Sequence, residues 1–375
     1  MSASSVTATS DADLAHMDAA LQLARRGLGA VWPNPAVGCV IVKDGQVVGR
    51  GWTQPGGRPH AETEALKRAG DAARGATAYV TLEPCSHHGK TPPCADALIA
   101  AGIARVVAAL GDPDPRVSGA GFAKLRNAGI AVVENVRLRE AAELNEGFLR
   151  RVREGRPLVT FKMATTLDGR IATHKGESRW ITGETARANA HALRLSHDAI
   201  LVGSGTATAD NPMLDVRLPG TEGVTRVRAV VDGRLRTQLT SKLVASAKTV
   251  PTWFFVRADA DAARAKVFAE CGVELVRLPP EPSGFLAPAA ILAEMGKRGL
   301  TRVLLEGGGY LAAAFLRANL VDRIVRFGSG SVIGGDGLAV VAPFGVDRLA
   351  NAPKFVRAGV LPCGEDVLET WARAT

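Results

Sequence analysis

Apolar positions near the start of the chain recur every three or four residues, the spacing of one face of an amphipathic helix. They are Leu14, Met17, Leu21, Ala24 and Leu28. Two apolar runs then begin at Val37 and Val47 and flank the pair Asp44-Gly45, which predicts a β-hairpin that turns at this pair. Helical and extended patterns alternate from there to about residue 135. This part of the chain is therefore predicted to place helices over a largely parallel sheet.

A basic stretch without an apolar face, "RRVREGRP", follows a helix predicted over residues 139–152. Beyond this stretch, apolar runs such as "PLVTFKMA" and "TWFFV" again alternate with helical patterns, which predicts a second α/β domain. We expect four segments, namely a disordered start over 1–13, a first domain over 14–150, a linker over 151–157 and a second domain over 158–375.

Composition limits the class of protein. No run approaches the roughly 18 apolar residues of a membrane span, and we expect no secretion signal because the first dozen residues lack its apolar region. Five cysteines, an odd number scattered over 375 residues, favour a reducing cytoplasm over disulfide bonds. A formal charge of +9 favours anionic partners. Because aromatic residues make up only 5% of the chain, small phosphorylated molecules are favoured over nucleic acid, whose bases need stacking surfaces.

The segment "HAETEAL" places a potential metal ligand, His60, two residues before a carboxylate, Glu62. Positions i and i+2 of a helix do not face each other, so both side chains can converge only if His60 lies at the helix entry. The irregular sequence "GGRPH" provides such an entry. The alternative is an ordinary helix start with solvated polar side chains.

Two cysteines change that balance. Cys85 follows a predicted strand, and Cys94 opens a predicted helix, whose N-terminus favours the thiolate form that binds metal. Three protein ligands and a water are typical of a catalytic zinc, which activates that water, and Glu62 could move protons to a leaving amine. The wide interval between the cysteines leaves open whether Cys94 or His88 is the third ligand.

The segments "WPNPAVGCVIVKDG", "HAETEAL" and "TLEPCSHHGKTPPCADALIAAGI" resemble the deaminase half of the bifunctional riboflavin-biosynthesis deaminase/reductases. The resemblance implies a cytidine-deaminase-like three-layer α/β/α domain. It also implies zinc on His60, Cys85 and Cys94, with Glu62 as the proton shuttle, and so favours Cys94 over His88.

The same resemblance implies contacts to a phosphorylated pyrimidine substrate. Asn34 would meet the pyrimidine, and the loop residues His87 and Lys90 would meet the ribose phosphate. Ala36 departs from the family, which often has a larger polar residue at this position.

In the second half, "LLEGGGYLAAAFLRANLVD" indicates a strand, a glycine turn and a helix, whose first N–H groups attract phosphate. The turn is not the dinucleotide-binding pattern of a Rossmann fold, and alone it is as often structural as functional. Together with "TLDGRIAT", "GESRWITG" and "HALRLSHDAILVGSGTATADNPMLDVR", however, it resembles the reductase half of the same family, which has a dihydrofolate-reductase-like α/β fold.

This resemblance implies NADPH as cofactor and a phosphosugar as substrate. NADPH would contact Ala164, Trp180, Thr206, Asp210, Gly308, Gly309, Tyr310, Leu311, Ala312, Ala313 and Ala314. The substrate would contact Ser178, Arg194, Leu214, Arg217 and Glu306. Guanidinium groups suit phosphate and sugar oxygens, although solvated surface arginines are the alternative. Gly233 departs from the family, which often has a serine that reaches the cofactor.

The whole chain is thus expected to be a cytoplasmic enzyme of riboflavin biosynthesis. It would hydrolyse the amino group of 2,5-diamino-6-(5-phosphoribosylamino)pyrimidin-4(3H)-one and reduce the ribosyl group of the product with NADPH. We expect a homo-oligomer, a dimer or tetramer, without nucleic-acid or membrane partners. One rival is a nucleic-acid deaminase with an appended dehydrogenase. Another is a non-enzymatic regulator, in which four protein ligands would close the zinc site.

Overall fold

The chain divides into two compact units. The computed structural model describes residues 9–87, 92–114 and 118–374, and the units are Met1–Gly155 and Arg156–Thr375. Within the described ranges, no helix is both long and apolar enough to cross a membrane.

The first unit begins with helix α1 and continues with strands and helices in alternation. Its strands are β1 (Gly38–Lys43), β2 (Gln46–Trp52), β3 (Thr77–Val80), β4 (Arg105–Ala108) and β5 (Ala131–Val133). Its helices are α1 (Asp11–Arg25), α2 (Ala61–Ala69), α3 (Cys94–Ala100), α4 (Ala120–Asn127), α5 (Leu138–Leu144) and α6 (Glu146–Glu154).

The strands of this unit form one sheet in the order β2-β1-β3-β4-β5. The predicted hairpin is present, since β1 and β2 pair in antiparallel fashion, whereas β3, β4 and β5 are parallel. Helices lie very close to both faces. A Cβ at Gly38 would lie 1.9 Å from the Ala20 carbonyl oxygen of α1, and one at Gly51 would lie 2.2 Å from the Ala61 oxygen of α2. Glycine at these positions therefore allows the three-layer packing.

The predicted disorder over residues 1–13 is wrong for its last part. Helix α1 begins at Asp11, and Ser10 and Asp13 cap it reciprocally. Asp13 is also buried and accepts two hydrogen bonds from Arg105, at 2.7 and 2.9 Å, and one from the Tyr79 hydroxyl at 2.9 Å. The Arg105 guanidinium holds the pKa of Asp13 well below its usual range. These contacts order the start of the helix.

The single helix predicted over 139–152 is two helices, which are separated at Asn145. The side chain of Asn145 is buried and pairs with the backbone of Ala36, accepting from its N–H and donating to its carbonyl, both at 3.0 Å. The predicted linker, 151–157, is helical as far as Glu154, because Arg150 joins Glu146 and Glu154 on one helix face.

The second unit is also α/β. Its strands are β6 (Leu158–Thr165), β7 (Arg170–Ala172), β8 (Ala199–Gly203), β9 (Val227–Val231), β10 (Thr252–Arg257), β11 (Glu274–Leu278), β12 (Arg302–Glu306), β13 (Arg323–Gly328), β14 (Leu338–Ala339), β15 (Phe355–Cys363) and β16 (Asp366–Arg373). Its helices are α7 (Glu184–Leu195), α8 (Ser204–Asp210), α9 (Lys242–Ala245), α10 (Ala262–Glu270), α11 (Pro288–Lys297) and α12 (Gly309–Arg317).

The main sheet of this unit has the order β11-β10-β9-β8-β12-β6-β13-β16-β15. The strands from β11 to β13 are parallel, and β16 and β15 add an antiparallel hairpin at one edge. Strand β12 lies between β8 and β6, both of which precede it in the chain. The carboxyl ends of three neighbouring parallel strands thus meet where the strand order reverses, a common place for ligand sites.

Candidate active sites

His60 and Glu62 are positioned by the start of α2. His60 is the residue just before the helix and has extended backbone angles, φ −72° and ψ 162°. Glu62 lies in the first turn, and only 4% of its surface is exposed. The extended backbone of His60 turns its imidazole out of the helical repeat, so the two side chains can serve one site.

Cys85 follows the end of β3, and it meets Cys94 at the start of α3. Cys94 is the first residue of α3 and is buried. Its backbone N–H donates to Cys85 Sγ at 3.2 Å, and the next N–H, from Ala95, donates to the Cys85 carbonyl at 3.1 Å. The helix N-terminus therefore supports a negative charge on Cys85.

The three predicted ligands form one cluster. His60 Nδ1 lies 3.3 Å from Cys94 Sγ and 3.7 Å from Cys85 Sγ, and the ligand atoms all lie within 4.8 Å of one another. Tetrahedral zinc with ordinary Zn–N and Zn–S lengths requires N–S distances of about 3.5 Å. The donor set and its spacing fit one zinc ion, with His60 Nδ1 as the ligand nitrogen.

Charges in this cluster are strongly coupled. The hydrogen bond with Cys94 lowers the pKa of Cys85 to about 4, and the same contact raises the pKa of Cys94. The two sulfurs oppose each other's ionisation, and a divalent cation would compensate the charge of two thiolates. Burial raises the pKa of Glu62 to about 7, although His60 opposes this shift. A carboxyl group with this pKa can both accept and donate a proton near neutral pH.

The predicted substrate residues of this unit have different environments. Asn34 Nδ2 donates to the Gly57 carbonyl at 2.7 Å, so its oxygen is the atom that would accept from a pyrimidine. His87 is exposed. Lys90 and the alternative ligand His88 lie outside the described residues. Asn145 holds the backbone of Ala36, two residues after Asn34. This support was not predicted, because the two residues are distant in sequence and no local pattern marks the pair.

In the second unit, the glycine turn joins β12 to α12. Gly307 and Gly308 have φ of +86° and +84°, in the left-handed region that favours glycine. A Cβ at Gly308 would lie 3.3 Å from Oγ1 of Thr206. Thr206 belongs to α8, the helix that follows the neighbouring strand β8. The turn and α8 are therefore adjacent and form one surface at the carboxyl ends of β12 and β8. The predicted residues 309–314 occupy the first turns of α12, and Tyr310 is 85% exposed.

Other predicted cofactor residues lie around this surface. Ala164 is near the end of β6, and Asp210 ends α8, where burial raises its pKa. Trp180 is 69% exposed, and the Arg187 guanidinium lies 4.5 Å from its ring centroid. Its exposed aromatic ring offers a flat surface to a ligand.

Arg194 and Glu306 form a buried ion pair. Arg194 donates to both carboxylate oxygens of Glu306, at 2.6 and 2.9 Å, and to the Asp215 carbonyl at 2.8 Å. Burial raises the pKa of Glu306, but Arg194 more than offsets this and lowers it to about 2. Lys162 Nζ lies 3.9 Å from the same carboxylate. Lys162 was missed because nothing in "FKMA" distinguishes it from a strand lysine.

Three further predicted substrate residues differ in exposure. Ser178 is half-buried in the loop before α7, and Arg217 is exposed beside Asp215, whose Oδ1 is 3.4 Å away. Leu214 is buried and has φ +52°, so only its backbone could meet a ligand. The structure thus groups the ion pair with Asp215 and Arg217, while Leu214 supports their loop from the core.

Two family models match this chain, one in each half. The model described as "RibD C-terminal domain" matches residues 157–368, and the "Cytidine and deoxycytidylate deaminase zinc-binding region" matches residues 10–110. The riboflavin biosynthesis protein RibD of Escherichia coli K12 is 42% identical over 94% of this chain and 97% of its own length. The riboflavin biosynthesis protein RibD of Aquifex aeolicus is 41% identical over 95% of this chain and 97% of its own length.

Solved structures agree along nearly the whole chain. RibD of Acinetobacter baumannii (form 1) is 36% identical, with a TM-score of 0.86 over 97% of this chain and 99% of its own. The chain belongs to the RibD family. A second RibD-family structure, the diaminohydroxyphosphoribosylaminopyrimidine deaminase/5-amino-6-(5-phosphoribosylamino)uracil reductase of Thermotoga maritima, is 36% identical, with a TM-score of 0.84 over 97% and 99%.

Membership of the RibD family confirms several predictions. The chain combines a cytidine-deaminase-like zinc domain with a dihydrofolate-reductase-like domain, and it is a bifunctional deaminase and NADPH-dependent reductase of riboflavin biosynthesis. The individual site residues stay predictions.

The two positions predicted to depart from the family pattern, 36 and 233, have well-defined surroundings. Ala36 is buried, and its backbone is held by Asn145. A Cβ at Gly233 would lie 3.2 Å from Cγ of Arg257, whose guanidinium pairs with Asp259. The aliphatic part of Arg257 thus occupies space that a side chain at position 233 would need.

The histidines of the second unit have contacts that give them no catalytic role in either proposed site. His174 is exposed, and His191 Nδ1 accepts from the Arg217 backbone N–H at 3.2 Å. His197 is buried, with Nδ1 at 2.7 Å from the Leu193 carbonyl and Nε2 at 2.9 Å from the Thr160 hydroxyl. It is a core residue with both nitrogens bonded.

Proposed function

We propose that the first unit deaminates 2,5-diamino-6-(5-phosphoribosylamino)pyrimidin-4(3H)-one. The second unit would then reduce the ribosyl group of 5-amino-6-(5-phosphoribosylamino)uracil to a ribityl chain with NADPH. The observation that carries the proposal is the convergence of His60, Cys85 and Cys94 beside the buried carboxyl group of Glu62. The Thermotoga maritima relative bears both activities in its name.

In the first reaction, His60 Nδ1 and the two sulfurs would hold zinc, which when bound activates the attacking water. Glu62 would accept the proton of that water and return it to the leaving amine, a role that its pKa of about 7 suits. The Asn34 oxygen would accept from the pyrimidine and orient it. His87 and Lys90 would hold the phosphate.

In the second reaction, NADPH supplies a hydride to the sugar. The residues of this chain would only bind and align the reactants. The positive-φ glycines and the first N–H groups of α12 would bind phosphate, with Thr206 and Asp210 alongside. Arg194 would fix Glu306 through two hydrogen bonds, so that this carboxylate can accept from sugar hydroxyls. Ser178, Leu214 and Arg217 would complete the phosphosugar site.

The predicted compartment also follows from the proposed ligands. Two thiolate ligands require a reducing environment, and all five cysteines are free. This supports a cytoplasmic location.

The two activities can be separated by one substitution. Glu62→Gln should abolish ammonia release from the diaminopyrimidine, because the amide cannot accept the proton. NADPH oxidation on the deaminated intermediate should remain at the parent rate. Both are measured on the purified full chain, by ammonia detection and by NADPH absorbance.

Glu64→Gln is the matched control. Glu64 lies on the same helix and pairs with Arg68, 3.6 Å away. This variant should retain both activities. Ammonia release by Glu62→Gln, or loss of both activities in it, would contradict the assignment of roles.

A homodimer through the edge strand β15 completes the proposal. Among the strands that the structure describes, β15 has a neighbour on one side only, and Val356 and Leu361 are each 61% exposed. Unpaired apolar edge strands readily pair with another chain. A second copy of the same strand, in antiparallel orientation, would satisfy the edge of both subunits.

A further inference from the structure

Glu83, two residues before Cys85, has a role that its sequence did not suggest. Its side chain is buried, with 3% of the residue exposed. The carboxylate accepts hydrogen bonds from four backbone N–H groups, those of Asp112 at 3.1 Å, Gly119 at 3.0 Å, Gly121 at 2.9 Å and Phe122 at 3.4 Å. One carboxylate thus ties the end of β3 to the segment that follows β4.

Three of these donors belong to the start of α4. Gly119 is the capping residue of α4 and has no side chain to accept from the free N–H groups. Glu83 supplies the missing acceptor from another part of the chain, and its charge is favourable at a helix N-terminus. Helix α4 is therefore capped by the strand end that carries a proposed zinc ligand.

The backbone around Pro84 is held on both sides. The Glu83 N–H donates to the Leu110 carbonyl at 2.8 Å, and the Cys85 carbonyl accepts from Ala95 at 3.1 Å. Gly121 packs directly on the peptide between them, since a Cβ there would lie 2.1 Å from the Pro84 carbonyl oxygen. Little freedom remains for the Cys85 backbone while α4 stays in place.

We propose that Glu83 is a positioning residue of the deaminase site. By holding α4 against residues 83–85, its carboxylate keeps Cys85 Sγ at the distance from His60 and Cys94 that a shared metal ion needs. The inference rests on the proposed zinc ligands. It differs from them in that both oxygens of Glu83 are bonded to backbone N–H groups, so that Glu83 would act only through Cys85.

Glu83→Gln tests this role. The substitution keeps the shape but turns one oxygen into an NH₂ group that faces N–H donors. Partners that orient metal ligands are commonly worth about 10- to 100-fold in metal affinity. We expect the zinc dissociation constant of the full chain, measured by competition with a chelator, to rise about tenfold. Excess zinc should restore ammonia release, which a merely unfolded site would not allow.

Asp13→Asn is the matched control. Asp13 is a buried carboxylate of the same unit, with 2% of its surface exposed and hydrogen bonds to Arg105 and Tyr79, and it caps α1. Like Glu83→Gln, this variant should lower the melting temperature of the protein, because it removes a buried charge that accepts several hydrogen bonds. Its zinc dissociation constant should stay within about twofold of the parent.

The outcomes separate the two proposals. If the parent protein binds no zinc, the proposed ligand set fails. If the parent binds zinc and Glu83→Gln does so equally well, or no worse than Asp13→Asn, the positioning role is overturned. Should Glu83→Gln not accumulate as folded protein, Glu83→Asp serves in its place. Aspartate keeps the charge but is too short to reach all four donors, so unchanged zinc affinity in that variant would also overturn the role.

Discussion

At the scale of single residues, the proposed chemistry of the first unit depends on two cysteines whose sulfurs lie within 4.8 Å of each other and of a ligand nitrogen of His60. A metal ion can bind both sulfurs only as thiolates, and Cys94 is the buried partner whose pKa is raised. Removal of the Cys94 sulfur would leave two of the three proposed ligands.

Cys94→Ser should remove zinc from the purified protein. A serine hydroxyl is a much weaker zinc ligand than a thiolate, so we expect ammonia release to fall by more than about 100-fold. NADPH oxidation on the deaminated intermediate should be unchanged. Metal analysis and the two activity assays check this prediction, with Cys271→Ser, a half-buried cysteine of the second unit, as control. Zinc content equal to that of the parent would count against Cys94 as a ligand.

His197 should make the second unit sensitive to acid. Burial lowers its pKa from 6.5 to about 3, so the folded protein keeps it neutral while the unfolded chain takes up a proton below pH 6.5. Its contribution to stability is therefore present above pH 6.5 and is lost as the pH falls from there towards 3.

The measurement is the free energy of unfolding as a function of pH, obtained from the hydrogen exchange of backbone amides in β6 and β8. His197→Gln should be less stable than the parent at pH 7.5, and its stability should fall less steeply below pH 6.5. His174→Gln, which removes an exposed imidazole, should keep the parental slope. Identical slopes in all three proteins would refute the linkage.

Sequence patterns identified the residues whose chemistry is local. His60, Glu62, Cys85 and Cys94 stand in short motifs with recognisable spacing, and the structure brings the three ligands together. Glu83, Asn145 and Lys162 were not identified. Their roles depend on partners far away in sequence, and a lone polar residue in a strand or loop carries no sign of such a partner.

At the scale of elements, the hairpin at Asp44-Gly45 was predicted because turn chemistry is local. The break at Asn145 was not, since the helical pattern continues across it and only the distant contact with Ala36 explains it. The helical end at Glu154 was missed for a similar reason. Its salt bridges lie on a solvated face, which resembles a linker in composition.

The glycine turn before α12 is an element whose geometry can be tested. Gly308→Ala should weaken NADPH binding, because φ is +84° and the added Cβ would lie 3.3 Å from Thr206 Oγ1. The left-handed conformation alone costs about 1–2 kcal/mol for a non-glycine residue. Titration of NADPH fluorescence gives the affinity.

Gly220→Ala is the control for backbone strain, since Gly220 has φ +77° and open space around it. Gly220→Ala should lower the free energy of unfolding about as much as Gly308→Ala does. It should nevertheless bind NADPH with the affinity of the parent. Equal NADPH affinity in both variants would show that the turn does not contact the cofactor.

At the scale of the whole molecule, subunit association should depend on β15. Val356→Lys with Leu361→Lys should convert a dimer into a monomer, because the charges oppose pairing of the two edges. Light scattering after gel filtration gives the mass. Leu349→Lys is the control, since Leu349 is 87% exposed but lies outside the strand. A dimer that survives the double substitution would place the interface elsewhere.

The position of β12 also bears on how the enzyme is made. Strands β6 and β8 leave the ribosome long before β12. Until β12 emerges, they either stay unpaired on the sides that face it or pair incorrectly with each other. None of the described strands of the first unit is inserted late between two earlier ones, so this unit should fold while the second is still being translated. Nascent chains stalled before residue 302 should therefore capture zinc but not nucleotide.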